Sequence, residues 1–254
     1  MATLDELAAA LERALDRATK ETTDEVLLAA HACIQADDLT LREQGRIAML
    51  ALADEGSPRA AWLGAYCWLE GLGGDADLDR GLALLVRAAN EGVAEAAFEL
   101  GQLLARSEQL EAAATWLNLA AEQGHAPALR MLGRMAAGSG ERNAADHLLQ
   151  AAIQAGSQPA VFDRVLLLAQ FGPSDELVAL LDGLLSKRDV PGGLLGEVGR
   201  ATAERDPDAV LSLAIVVTPQ GRAGRQAFVD GLARGNQGLW EELGPDLRAV
   251  LDLG

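Results

Sequence analysis

Glycines that close apolar stretches recur through the middle of this chain at a nearly fixed interval. Gly56 to Gly92 is 36 residues, and Gly92 to Gly124 and Gly124 to Gly156 are 32 each. A self-similar period of this size marks a stacked array of supersecondary units, because one such unit buries only one face and needs a neighbour with the same surface. Counting from each opening glycine as zero, position 4 is Ala60, Ala96, Ala128 and Ala160, and positions 8 and 9 are Gly64-Ala65, Leu100-Gly101 and Leu132-Gly133. Counting back from each closing glycine, the second half of each unit carries Gly81, Ala113 and Ala145, then Leu84, Trp116 and Leu148. Small residues at fixed places let backbones approach closely, so the units share one packing solution. The register extends upstream through Gly45, Ala48 and Ala53.

Between the glycines, apolar residues fall at i, i+3, i+4 and i+7, and β-branched and aromatic clusters with strict alternation are missing, the nearest being the short "AIVV" at 214–217. The pattern predicts helices of about 10 to 16 residues joined by short links, hence antiparallel hairpins and an all-α fold. Thr3 with Glu6, Thr22 with Glu25 and Thr40 with Glu43 each fit a capping box. Ser57-Pro58 and Asp206-Pro207 place a cap before a proline at the first helical position. Closing glycines supply the left-handed residue that ends a helix. Gly71 and Gly73 reverse the chain between two helices, and Asp77 favours the dipole at the start of the second.

The unit from Gly56 to Gly92, with Ala60, Trp68, Gly71-Leu72-Gly73, Asp77, Gly81 and Ala88-Ala89, resembles a Sel1-like repeat, the 36-residue relative of the tetratricopeptide repeat. Trp68 stands where that family usually has tyrosine, Gly64-Ala65 replaces Leu-Gly, and the second and third units lack four residues. The resemblance implies a right-handed α-solenoid of antiparallel helix hairpins whose first helices line a concave face. It divides the chain into an N-terminal capping helix over 1–21, repeats over 22–190 with the best match over 56–156, and degenerate helical repeats with a C-terminal cap over 191–254. In that last segment Pro245 is expected to break or kink the final helix, and "LWEELGPDLRAVLDL" is read as the cap with Trp240 buried, a partner-binding element being the alternative. The family's members are mostly protein–protein adaptors.

Charge and composition narrow the function. A formal net charge of −17 repels a phosphate backbone or an anionic membrane, so nucleic acid is excluded as an expected partner. Residues 1–20 lack the basic start and apolar run of a secretory signal, no stretch is apolar enough to span a membrane, and Cys33 and Cys67 lie far apart. These features, with arginine far outnumbering lysine, lead to the expectation of a cytoplasmic bacterial protein. His31, His125 and His147 show no metal-binding spacing, and no GxSxG or GK[ST] motif occurs. The paired acids Asp37-Asp38 and Glu241-Glu242 read as solvated helix ends. No catalytic residue, metal site or cofactor is therefore expected, and a hydrolase is the outlying reading.

Binding remains. At about 100° per residue, positions 3, 7, 10 and 14 of each first helix face away from the packed arc. On that open side the candidate partner-binding residues are Arg59, Leu63, Tyr66, Glu99, Gln102, Arg106, Met131 and Arg134. Aromatic, methionine and arginine side chains are those enriched at interface centres. Trp62, Phe98 and Phe162 at position 6, and Trp116 in a second helix, are expected to pack. The expected function is a scaffold or adaptor holding a partner protein or peptide, which the acidity suggests is basic. An immunity-type inhibitor of a toxin or enzyme is the alternative.

Overall fold

The computed structural model describes residues 23–170, 175–186, 193–205 and 222–235, together with residues 6, 8–11, 213, 217, 237 and 251. Thr3, Thr22, Asp206-Pro207, Trp240, Glu241-Glu242 and Pro245 lie outside the described residues, as does most of "AIVV". Every element among the described residues is helical. In chain order they are α1 (Thr23–Ile34), α2 (Leu39–Asp54), α3 (Pro58–Leu69), α4 (Leu78–Asn90), α5 (Ala94–Arg106), α6 (Leu110–Glu122), α7 (Ala126–Gly138), α8 (Arg142–Gln154), α9 (Gln158–Gln170), α10 (Asp175–Ser186), α11 (Leu194–Arg205) and α12 (Arg222–Gly235).

The helix ends are set by local chemistry. Ser57 caps α3 by accepting from the Ala60 amide at 3.3 Å, with Pro58 in the first turn. Asp77 caps α4 by accepting from the Arg80 amide at 3.0 Å, and its other oxygen lies 3.3 Å from the Arg80 guanidinium. At the start of α2 the expected Thr40–Glu43 box is not the cap. Asp38 takes that role, accepting from the Leu41 amide at 2.9 Å, so the helix begins at Leu39 and gains part of a turn. Asp38 is therefore a capping residue and not merely a solvated acid; its neighbour Asp37 is exposed. At the other ends, Gly56, Gly92, Gly124 and Gly156 have φ of +95°, +92°, +74° and +95°. The next amide in each case returns to a carbonyl of the last turn, as in Ser57 N to Leu52 O and Val93 N to Ala88 O, both 3.0 Å.

The chain forms two compact units, Met1–Ala128 and Leu129–Gly254. In the first, α1 to α6 pack in series, each helix against the next. In the second, α8 packs on α9, α9 also meets α10 and α11, and α11 meets α12. The core of that unit gathers Val165, Leu168, Leu177, Leu181, Val198 and Phe228. Arg164, only 5 % exposed, is held by Asp146 at 2.8 Å and by Glu176. Burial disfavours its charge, and the two carboxylates more than restore it, so its pKa is raised. Helices α11 and α12 meet through glycine: a Cβ on Gly231 would lie 1.9 Å from the Gly196 carbonyl oxygen. No repeat-like alanine or leucine pattern specifies such a contact, which is why the repeat register fades there.

The repeated small residues act as read from the sequence. Ala60, Ala96, Ala128 and Ala160 are all fully buried. Within the three hairpins from α3 to α8, one glycine admits a leucine from the facing helix, and the helix that carries the glycine changes along the chain. In α3/α4 it is Gly81, where a Cβ would meet Leu69 at 2.6 Å; in α5/α6 it is Gly101, facing Leu117 at 2.6 Å; in α7/α8 it is Gly133, facing Leu149 at 2.8 Å. The position of Leu69 becomes Ala105 and Ala137 in the next two units, and that of Gly81 becomes Ala113 and Ala145. The knob and the gap have exchanged helices together.

This pairing sets a test. Gly101→Ala adds about 1 kcal/mol of helix propensity, against about 1 to 3 kcal/mol of overpacking onto the fully buried Leu117. It should lower the melting temperature. In a Leu117→Ala background the same methyl enters the vacated space, and Gly101→Ala should raise the melting temperature instead. Additive effects in the four-member cycle would show that the two residues do not share one contact.

Candidate functional site

The candidate site lies in the first unit, where two successive joints between hairpins are built differently. In the earlier joint, the residues between α3 and α4, 70–77, fold back over α2. Gly73 has φ of +73°, and a Cβ on it would come 2.3 Å from the Arg42 carbonyl oxygen, so this backbone lies directly on the helix. Arg46, 8 % exposed, donates to the Asp75 carbonyl at 3.0 Å. Its guanidinium lies 3.9 Å from the centre of the Trp68 ring, and that of Arg80 lies 4.7 Å from the same ring. The tryptophan that replaces the usual tyrosine thus serves as a platform for two arginines.

In the next joint the connection between α5 and α6 is only Ser107–Gln109. Counted from the closing glycines, Leu78 and Leu82 on α4 correspond to Arg42 and Arg46 on α2. Nothing equivalent to residues 70–77 lies over them, and a pocket of about 730 Å³ opens. Leu78, Leu82 and Val86 form one wall, Leu103 and Leu104 another, and Trp116 closes an end; Tyr66, Glu70, Glu99, Gln102 and Arg106 supply the polar part. Leu78 is 63 % exposed and Leu103 38 %. The lining is apolar with a few polar groups, as in most ligand-binding clefts.

Beside this pocket, Tyr66 and Trp62 of α3 both reach Glu99 of α5. The Tyr66 hydroxyl donates to Glu99 Oε1, and Trp62 Nε1 donates to the same oxygen at 3.0 Å. The two rings meet edge-on with centroids 6.3 Å apart. Burial, then the Glu99 carboxylate, pushes the tyrosine pKa up. Burial also raises the Glu99 pKa, although the two donors oppose the shift.

Of the eight residues read from the sequence, the structure brings Tyr66, Glu99, Gln102 and Arg106 together at this pocket. Arg59 is exposed and Leu63 half-buried on α3, and neither lines it. Met131, half-buried, and Arg134, exposed, belong to the second unit, where Arg134 borders a smaller pocket of about 230 Å³ with Asp163 and Gln170. Two side chains differ from expectation. Tyr66 does not simply project from its helix, because it is bonded to the neighbouring hairpin, so its truncation removes a structural contact as well as surface. Trp116 is half-buried and borders the pocket, whereas a fully packed ring was expected. The leucines of the wall were missed altogether; comparing Leu78 and Leu82 with Arg42 and Arg46 beside the four-residue deletion was the signal available.

Other chemistry is sparse. Cys33 and Cys67 are buried and not joined in a disulfide, and burial pushes the Cys67 thiol up to about 11. His31 and His147 are exposed, while His125 is half-buried against Phe98 with ring centres 4.8 Å apart. Among the described residues there is no cluster of three or more histidine, cysteine or acidic side chains placed to hold a metal. No helix among them is long and apolar enough to cross a membrane.

The burial of Glu99 makes stability depend on pH. The folded state holds the Glu99 proton more tightly than the unfolded chain does. This carboxyl therefore costs nothing below the ordinary carboxylate range and destabilises increasingly as pH rises through its own raised pKa. Glutamine keeps the accepting oxygen without the charge. Glu99→Gln should melt above wild type at pH 7, and the difference should disappear below about pH 4. A gain that persists unchanged in acid would assign it to something other than Glu99 ionisation.

No protein-family model matches the sequence, and no curated protein matches it. Solved structures do resemble it. A Sel1 repeat protein from Oxalobacter formigenes superposes with a TM-score of 0.54 at 20 % identity, over 88 % of this chain and 95 % of that one. The protein c5321, a protective antigen present in uropathogenic Escherichia coli strains and displaying an SLR fold, superposes with a TM-score of 0.51 at 13 % identity, over 98 % of this chain and 67 % of that one. The helical hairpins, their closing glycines and these likenesses agree: the chain has the fold of the Sel1-like repeat proteins.

Proposed function

We propose that this protein is a non-catalytic interaction scaffold that binds a segment of another protein on the open side of the first helices in its N-terminal unit. The observation that carries the reading is the solvent-open pocket in which four residues of the expected binding face meet an apolar wall. Exposed leucine and valine beside tyrosine, tryptophan and arginine have the composition of an interface centre, not of an ordinary surface. Repeat arrays present such surfaces on a rigid series of hairpins, so little ordering entropy is lost on the scaffold side. The net charge of −17 favours a basic protein over a nucleic acid.

The test is capture with the full chain as bait in cells of its source, followed by cross-linking and mass spectrometry. A Gln102→Arg/Arg106→Glu variant changes the polar rim without opening a cavity. It should retain a melting temperature within about 2 °C of wild type and lose about tenfold or more of the specific partner signal. Recovery of the same partners at the same level by both baits would refute the binding face.

A further inference from the structure

We infer that the four-residue deletion in the second unit has turned a joint normally sealed by the protein's own loop into a docking pocket. Its occupant is an extended partner segment carrying apolar side chains and an adjacent arginine or lysine. The inference rests on the scaffold reading and specifies where, and by what chemistry, the partner is held.

Two joints of one molecule are covered differently. At the first, residues 70–77 lie on α2, with the backbone at Gly73 against Arg42 and the Asp75 carbonyl satisfying Arg46. Under that loop lies the Arg46 guanidinium, and the loop presents the Asp75 carbonyl oxygen to it. At the second joint the covering residues are missing, and the corresponding surface is Leu78 and Leu82. A chain that takes the loop's place there meets methyl groups instead of guanidinium, so it must offer apolar side chains where the loop offers carbonyls. The space, about 730 Å³, suits a few side chains of an extended segment and not a folded domain.

Charge fixes the flank. Three charged residues line the pocket, and two, Glu70 and Glu99, are carboxylates. Glu99 receives Tyr66 and Trp62 through Oε1 alone, and no hydrogen bond to its Oε2 is present among the described residues. A half-buried carboxylate whose second oxygen is engaged by neither of these donors, beside a second carboxylate and in a chain of net charge −17, favours a cationic group beside the apolar anchors.

A displayed library of random peptides, selected on the immobilised full chain, tests this without knowing the partner. Peptides with two or more apolar residues next to arginine or lysine should be enriched. A synthetic copy of an enriched peptide should bind about tenfold or more weakly to Leu103→Arg, and likewise to a variant with Gly-Leu-Gly-Gly inserted after Ser107 to restore a covering loop. Replacing its basic residues with glutamate should have a similar effect. Leu103 is already partly exposed, so its variant keeps the test decisive if the insertion does not fold. Selection of no such class, or equal binding to wild type and Leu103→Arg, overturns the pocket assignment. If binding survives Leu103→Arg but falls with Leu63→Arg, outside the pocket, the scaffold reading stands and this inference fails.

Discussion

The closest approach of the two helices within a hairpin governs most of what else this chain can do. A facing leucine can enter only where the opposite helix lacks a Cβ, and the structure meets that condition with one glycine at each crossing from Gly81 to Gly133. Interiors packed to crystal-like density tolerate such a contact only as a matched pair. Leu69 with Gly81 in one hairpin, and Leu117 with Gly101 in the next, are two solutions of the same steric problem. Because the crossing is fixed, the helices beyond it are placed to within a side chain. The surfaces between hairpins follow from it.

Loop length is then the variable left to change. At the earlier joint, eight residues from Glu70 to Asp77 cover α2, and Arg46 of that helix is hydrogen-bonded to the loop and stacked on Trp68. At the next joint a three-residue turn does not reach the equivalent place, yet α5 and α6 still pack through Gly101 and Leu117. The core contact of the hairpin does not involve its loop. Shortening the loop therefore alters what is covered without altering how the helices cross, which is a low-cost route from a structural surface to an exposed one.

Much of this was legible in the sequence. The closing glycines, the Ser57 cap, the acid Asp77 at the start of α4, the Gly71 and Gly73 reversal and the buried alanines at position 4 are local requirements of backbone geometry, and local geometry is what a residue type at a fixed spacing records. The start of α2 was misread because Asp38, taken as a solvated acid, stands two residues before Thr40, and the part of a turn gained by capping with Asp38 is a property of the whole helix. The side chains at the site were harder. Helical periodicity gave Tyr66 a direction but could not show that Glu99 of the following hairpin would be there to receive it. Trp116 occupies a position whose equivalents are leucines, so its register implied packing; its partial exposure comes from the neighbouring joint being left open.

The two substitutions at that joint make sense only as a pair. Had the loop shortened while Arg42 and Arg46 kept their counterparts on α4, those arginines would lie in solvent and the joint would be an ordinary charged surface. Had leucines appeared beneath a full-length loop, the Asp75 carbonyl oxygen that now accepts from Arg46 would face methyl groups and be left unsatisfied, a cost of about 1 to 3 kcal/mol for a buried group. Deletion and leucine together avoid both, at the expense of leaving Leu78 mostly exposed to water. An exposed leucine is common; several converging on one cleft beside a tyrosine and a tryptophan are a liability in an unbound protein. Covering them with apolar side chains of a partner removes that liability, with a driving force of about 25 cal/mol for each Å² of apolar surface withdrawn from water.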